Sequence, residues 1–134
     1  MINEIYDLFI WNAAMTPAEY EARVKQGLAL AERIRYLYPF LQPMIPGHSK
    51  SVWEPCARVL AACSDEALEP YLYQLFEWLQ DLSWPGAVTI RDRLLRFPFS
   101  RLEGWYDFSV IEALRSSDEV WLANLEEFKK EALK

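Results

Sequence analysis

The stretch TPAEYEARVKQGLALAERIRYL, residues 16 to 37, decides the fold class. Thr16 followed by Glu19 is a capping box, in which the hydroxyl accepts from an early backbone N–H and the glutamate reaches back to the cap's own N–H. Pro17 takes the first helical position, where its missing N–H costs nothing. Tyr20, Val24, Leu28, Ala31, Ile34 and Tyr38 then recur at steps of three and four, the apolar stripe of a helix. The spacing predicts a helix running to about Leu37.

The same grammar recurs along the chain. Ser51 with Glu54, Ser100 with Glu103 and Ser116 with Glu119 repeat the capping pattern, and each is expected to open a helix. Val52, Cys56, Val59, Leu60 and Cys63 form a second stripe, and Leu68, Leu72, Leu75, Phe76 and Leu79 a third, running towards Leu82. Ser83 suits an N-cap, with Trp84 and Pro85 in the following first turn and Ala87, Ile90, Leu94 and Phe97 behind it. Helices from about Arg101 to Arg115 and from about Asp118 to Leu133 follow, the latter with Trp121, Leu125, Phe128 and Ala132 on one face. Ile2, Ile5, Leu8 and Phe9 predict a short opening helix. Between the second and third helices, Pro39, Pro43, Pro46 and Gly47 forbid regular helix, so PFLQPMIPGHSK is expected to be a loop tied down by Phe40, Leu41 and Ile45. No segment alternates with a period of two. The reading is all-α, about seven helices in one domain over residues 1–134.

An internal echo bears on how the helices stack. SDEALEPYL from Ser64 and SDEVWLANL from Ser117 both follow a helix and open the next. That suggests stacked antiparallel helix pairs, a short α-solenoid in which each pair completes its neighbour's core.

Composition narrows function. The net charge of -6 disfavours a nucleic-acid binder, which needs surplus Lys and Arg on the contacting face. MINEIYDLFIW lacks the basic segment of a signal peptide, and no apolar run approaches the roughly 18 residues of a membrane span. The expected compartment is the cytosol. Cys56 and Cys63 share one helical face about 10 Å apart, too far for a disulfide within a helix, and are expected to be reduced core thiols. His48 is the one histidine, and a loop histidine without neighbours of catalytic spacing points to no reaction. No metal-ligand spacing or phosphate loop occurs, so no cofactor, metal or catalytic residue is expected.

Charge is segregated. Asp65, Glu66, Glu69, Glu77 and Asp81 fall within a run without Lys or Arg, whereas Arg91, Arg93, Arg96 and Arg101 cluster against Asp92. A helical hairpin around Ser83 would bring Glu77 to the level of Arg91, and such pairing explains much of the segregation, the alternative being a charged face that meets a partner. Of the tryptophans, Trp53, Trp78, Trp84, Trp105 and Trp121 lie in or beside predicted helices and are expected mostly in the core.

One segment carries more. KSVWEPCARVLAACSDEALEPYLYQLFEWLQDLSWPGA, from Lys50 to Ala87, resembles a family of small bacterial domains with the signature Trp-Leu-Gln-Asp, a variable residue, Asn-Trp-Pro and a small residue. The matching positions are Trp78, Leu79, Gln80, Asp81, Trp84, Pro85 and Ala87; Ser83 stands where the family shows Asn, and both residues cap helices well. The resemblance implies a helical, HEAT-like domain of unknown activity with no catalytic residues to transfer.

The expected function is a non-enzymatic helical-repeat module that binds another protein, as an adaptor or by neutralising a toxin. The alternative is a small-molecule or enzymatic pocket lined by aromatics and carboxylates, with Asp81, Glu77 and Arg91 first. Candidate residues for the helix junction or an interaction surface are Glu77, Trp78, Gln80, Asp81, Ser83, Trp84, Pro85 and Arg91.

Overall fold

The computed structural model describes residues 1–42 and 50–134. Among these the chain is all-α: α1 (Ile2–Phe9), α2 (Pro17–Ala31), α3 (Trp53–Ala61), α4 (Asp65–Leu68), α5 (Leu72–Glu77), α6 (Ala87–Leu94), α7 (Phe99–Arg115) and α8 (Glu119–Ala132). A 3₁₀ turn, Glu69–Tyr71, joins α4 to α5, and another, Trp78–Gln80, continues α5. Pro70 removes an N–H there, which accounts for the break. Taking α4 and α5 as one run, the described residues carry the seven helices expected.

The capping box at Thr16 forms in full: Thr16 Oγ1 accepts from the Glu19 N–H, and Glu19 accepts from the Thr16 N–H. The helix stops at Ala31, six residues short of Leu37. The bonds Arg33 N–H to Leu30 O and Ile34 N–H to Ala31 O tighten its last turn, and Pro39 holds the approaching chain away from helix. Tyr38 is consequently exposed, while Leu37, Phe40 and Leu41 are buried. Ile45 and His48 lie outside the described residues.

The other three Ser-x-x-Glu patterns do not open helices in the expected way. Ser51 sits inside a 3₁₀ turn, Lys50–Val52, and α3 starts from Val52. Ser100 lies within the first turn of α7, which Pro98 begins. Ser116 ends α7, its hydroxyl donating to the Glu112 carbonyl at 2.8 Å, and Asp118 caps α8 by accepting from the Trp121 N–H at 3.0 Å. The echo is therefore offset by one residue in its caps, since in the first copy Ser64 accepts from Ala67 N–H at 3.1 Å.

One buried cluster extends from Ile5 and Phe9 to Trp121 and Phe128. α1 packs on α2, α3 on α6, α5 on α7, and α7 folds back on α8. Consecutive pairing thus holds at the two ends, whereas α3 takes α6 as its main neighbour. Tyr106 Oη donates to the Leu125 carbonyl and the Trp121 indole to the Phe76 carbonyl, so α5, α7 and α8 share one polar-satisfied core. Arg58 grips Glu21 with two hydrogen bonds of 3.0 and 3.2 Å, tying α2 to α3. Cys56 is buried and Cys63 half-buried, both free, and burial pushes both thiols up.

Candidate functional site

The junction between α5 and α6 is closed by contacts within the chain. Trp78 is fully buried and its indole N–H donates to the Pro85 carbonyl at 3.2 Å. Trp84, half-buried, meets Trp53 edge to face with centroids 5.7 Å apart. Asp81 Oδ1 accepts from the Ser83 N–H at 2.8 Å and the Ser83 hydroxyl at 2.6 Å, hydrogen bonds that hold its pKa below the usual aspartate value. Gln80 lies half-buried in the 3₁₀ turn.

Ser83 is not the N-cap of α6. Both of its donors are committed to Asp81, an Asx turn, and the chain needs two further residues before it can turn into the helix. Gly86 caps α6 with φ 83, a left-handed conformation open to glycine. Gly86, directly after Trp84 and Pro85 and one residue before Ala87, thus meets a backbone requirement.

The expected Glu77 to Arg91 pair is absent, because that later start shifts the register of α6. Arg91 instead pairs with Asp92 at 3.1 Å. The segregated charges meet elsewhere. Arg93, 5% exposed, holds Asp65 at 2.6 Å and the Cys63 carbonyl at 2.9 Å, and Arg101 reaches Glu69 at 2.5 Å. Arg96 donates to the Ala61 carbonyl at 2.7 Å. Two of these arginines therefore satisfy carbonyls at and just beyond the C-terminus of α3, where positive charge is favoured.

Glu77 belongs to a different neighbourhood. On α5 it stands one turn beyond Tyr73, and on α7 Glu112 stands one turn beyond Phe108; α5 and α7 pack together. Tyr73 and Phe108 meet at 5.1 Å, Trp105 and Phe108 at 5.5 Å, and Tyr73 and Trp105 at 5.9 Å. This three-ring cluster is on the surface: Trp105 is 45% exposed and Phe108 41%, and Ile111, the next step of three along α7, is 52% exposed. Burial raises the Glu77 pKa, and the Glu112 charge raises it further. Tyr73 is raised by burial and then by Glu77 and Glu112. Glu112 is paired with Arg115 at 3.1 Å, while among the described residues no Lys or Arg forms an ion pair with Glu77.

Trp105 therefore departs from the expectation of core tryptophans that Trp53, Trp78 and Trp121 meet. A helical wheel carries the signal: Leu102, Tyr106, Ser109 and Ala113 face the core at steps of three and four, and Trp105, Phe108 and Ile111 advance by threes away from it. Among the described residues no group of three or more His, Cys, Asp and Glu could hold a metal ion, and no helix is long and apolar enough to cross a membrane.

These features define an all-α chain with an internally closed helix junction and an exposed aromatic and acidic face. A family model described as a domain of unknown function (DUF5071) matches residues 49–134, and the chain belongs to that family. The match takes in both the junction and the α5/α7 face. No curated protein and no solved structure matches the chain.

Proposed function

We propose that residues 1–134 form one unit, a non-enzymatic helical module of the HEAT-like kind that docks another protein on the α5/α7 face. The observation that supports it is the exposed group of Trp105, Phe108 and Ile111 on α7, joined to Tyr73 of α5. Large aromatic side chains left at the surface in a contiguous group are the usual anchors of protein interfaces. Free thiols at Cys56 and Cys63 fit a reducing compartment, so the cytosol is the proposed location. Adaptor and toxin-neutralising roles both suit such a face in a bacterial cell.

The alternative, a pocket lined by aromatics and carboxylates around Asp81, Glu77 and Arg91, is the weaker reading, since Asp81 bonds Ser83, Arg91 pairs with Asp92, and the Glu112 charge acts on Glu77. A photo-crosslinking residue placed at Phe108 or at Ile111, with one at the exposed Val88 of α6 as control, tests the interaction reading in cells. Discrete cross-linked species from Phe108 and Ile111 and none from Val88 are expected. Equal yields at all three positions, or none anywhere, overturn it.

A further inference from the structure

Elsewhere on this chain, cations lie over rings that are buried or, for Phe99, half-buried. Lys50 lies over Trp53, Arg93 and Arg101 over Phe97, and Lys129 over Phe99 and Tyr106, at 4.9 to 5.8 Å from the ring centroids. Among the described residues no such cation covers Tyr73, Trp105 or Phe108. Two carboxylates stand beside these rings instead, and one of them, Glu77, has no cationic partner among the described residues. The chain as a whole carries a net charge of -6. Ring faces attract cations through their quadrupole, and a half-buried carboxylate alongside strengthens that preference.

We infer that the Tyr73, Trp105 and Phe108 rings, with Glu77 and Glu112 at their edge, receive the cationic end of a lysine or arginine side chain on a basic segment of a partner protein. The inference rests on the docking reading above and adds the chemistry of the occupant. The aliphatic stem of such a side chain would lie along Ile111 and its charged end would reach Glu77, so apolar and ionic contacts come from one residue. Arg115 is tied to Glu112 and leaves the Glu77 side open to the incoming charge.

The probes are acetyl-lysine methylamide, its trimethylammonium form, acetyl-arginine methylamide and the neutral acetyl-norleucine methylamide, each titrated into the folded full chain. Shifts of the Trp105 indole N–H and the Phe108 ring are followed by NMR. Saturable shifts are expected with the three cations, with the norleucine compound binding at least about five-fold more weakly. Glu77→Gln is expected to weaken the cations by a similar factor and leave the norleucine compound unchanged. Equal binding of the neutral probe, no saturable shift, or binding indifferent to Glu77→Gln overturns the inference. Cross-linking at Phe108 together with neutral-probe binding would leave the docking face standing and remove the cation; cation binding without cross-linking would do the reverse.

Discussion

Gly86 presses on Ala57 so closely that a Cβ on the glycine would stand 2.7 Å from the Ala57 Cβ and 3.0 Å from the Trp53 carbonyl oxygen. It is the point where the turn after α5 meets α3 and the chain enters α6. Its φ of 83 adds a conformational demand to the steric one. A side chain there carries a left-handed penalty of about 1–2 kcal/mol and an overpacking cost of about 1–3 kcal/mol. Gly86→Ala is therefore expected to lower the unfolding free energy by about 2–5 kcal/mol in urea titration. Ala57→Gly in the same chain removes the methyl contact but not the backbone strain, so the double variant should show a favourable coupling and incomplete recovery. Unchanged stability for Gly86→Ala would mean that α3 and α6 do not approach so closely.

Ser117 holds φ 55 at the end of α7, and its N–H donates to the Leu114 carbonyl while that of Asp118 donates to the Ala113 carbonyl. Those two bonds make a Schellman termination, whose left-handed position ordinarily belongs to glycine. Ser117→Gly is expected to stabilise the chain by about 0.5–1 kcal/mol, seen as a higher denaturation midpoint at constant slope. A loss of stability would show that the serine side chain contributes more than its backbone strain costs.

How much of this was legible in the residues differs by feature. Helical periodicity identified the core faces well, because Val24, Leu60, Leu72, Leu94 and Leu125 are buried by local geometry alone. Caps were read less well. At Thr16 the following proline forces the start, whereas at Ser116 the hydroxyl bonds back into the helix it ends and leaves the cap to Asp118. The proposed partner of Glu77 was misplaced because the start of α6 depends on Gly86 meeting α3, a contact between segments about 30 residues apart in sequence. The helical wheel puts Trp105 on the flank of the α7 core stripe, and how far its ring is covered there depends on where α5 lies along α7.

Asp81 accepts two hydrogen bonds from Ser83, and these hold its pKa below the usual value. A carboxyl depressed in the folded state contributes stability above its unfolded pKa, and that contribution is lost as pH falls through the folded value. Asp81→Ala is expected to be less stable than the parent chain at neutral pH and to converge with it in acid. Cation binding at the α5/α7 face should stay unchanged. A variant that loses binding at full stability would give Asp81 a role beyond the turn.

Trp105 and Trp121 make a matched pair of opposite character. Trp121 is buried, with its indole N–H on the Phe76 carbonyl, and Trp105 is nearly half exposed. Trp121→Ala is expected to cost about 3–5 kcal/mol through the lost ring and the unmet carbonyl. Trp105→Ala should cost less than about 1.5 kcal/mol, the scale of the aromatic contacts it gives up. Similar losses at both positions would mean that the α7 face is part of the core and not a surface offered to a partner.

Glu77 provides the last prediction, because its stability and its proposed role pull in opposite directions. Its pKa is raised above the usual 4.5 by burial and by Glu112. A carboxyl raised in the folded state favours folding below its unfolded pKa, and that advantage is lost as pH rises through the folded value. Glu77→Gln, which keeps the shape and removes the charge, is expected to raise the melting temperature at pH 7. The gain should shrink as the pH is lowered through the folded value and vanish below the unfolded one. The same substitution is expected to weaken cation binding at Tyr73, Trp105 and Phe108. A site that keeps an unpaired charge for a ligand is destabilised without it, so a gain in stability with a loss of binding separates a binding carboxylate from a merely crowded one. A melting temperature that Glu77→Gln leaves unchanged from pH 4 to pH 7 would place this carboxylate in solvent and remove the physical basis of the cation site.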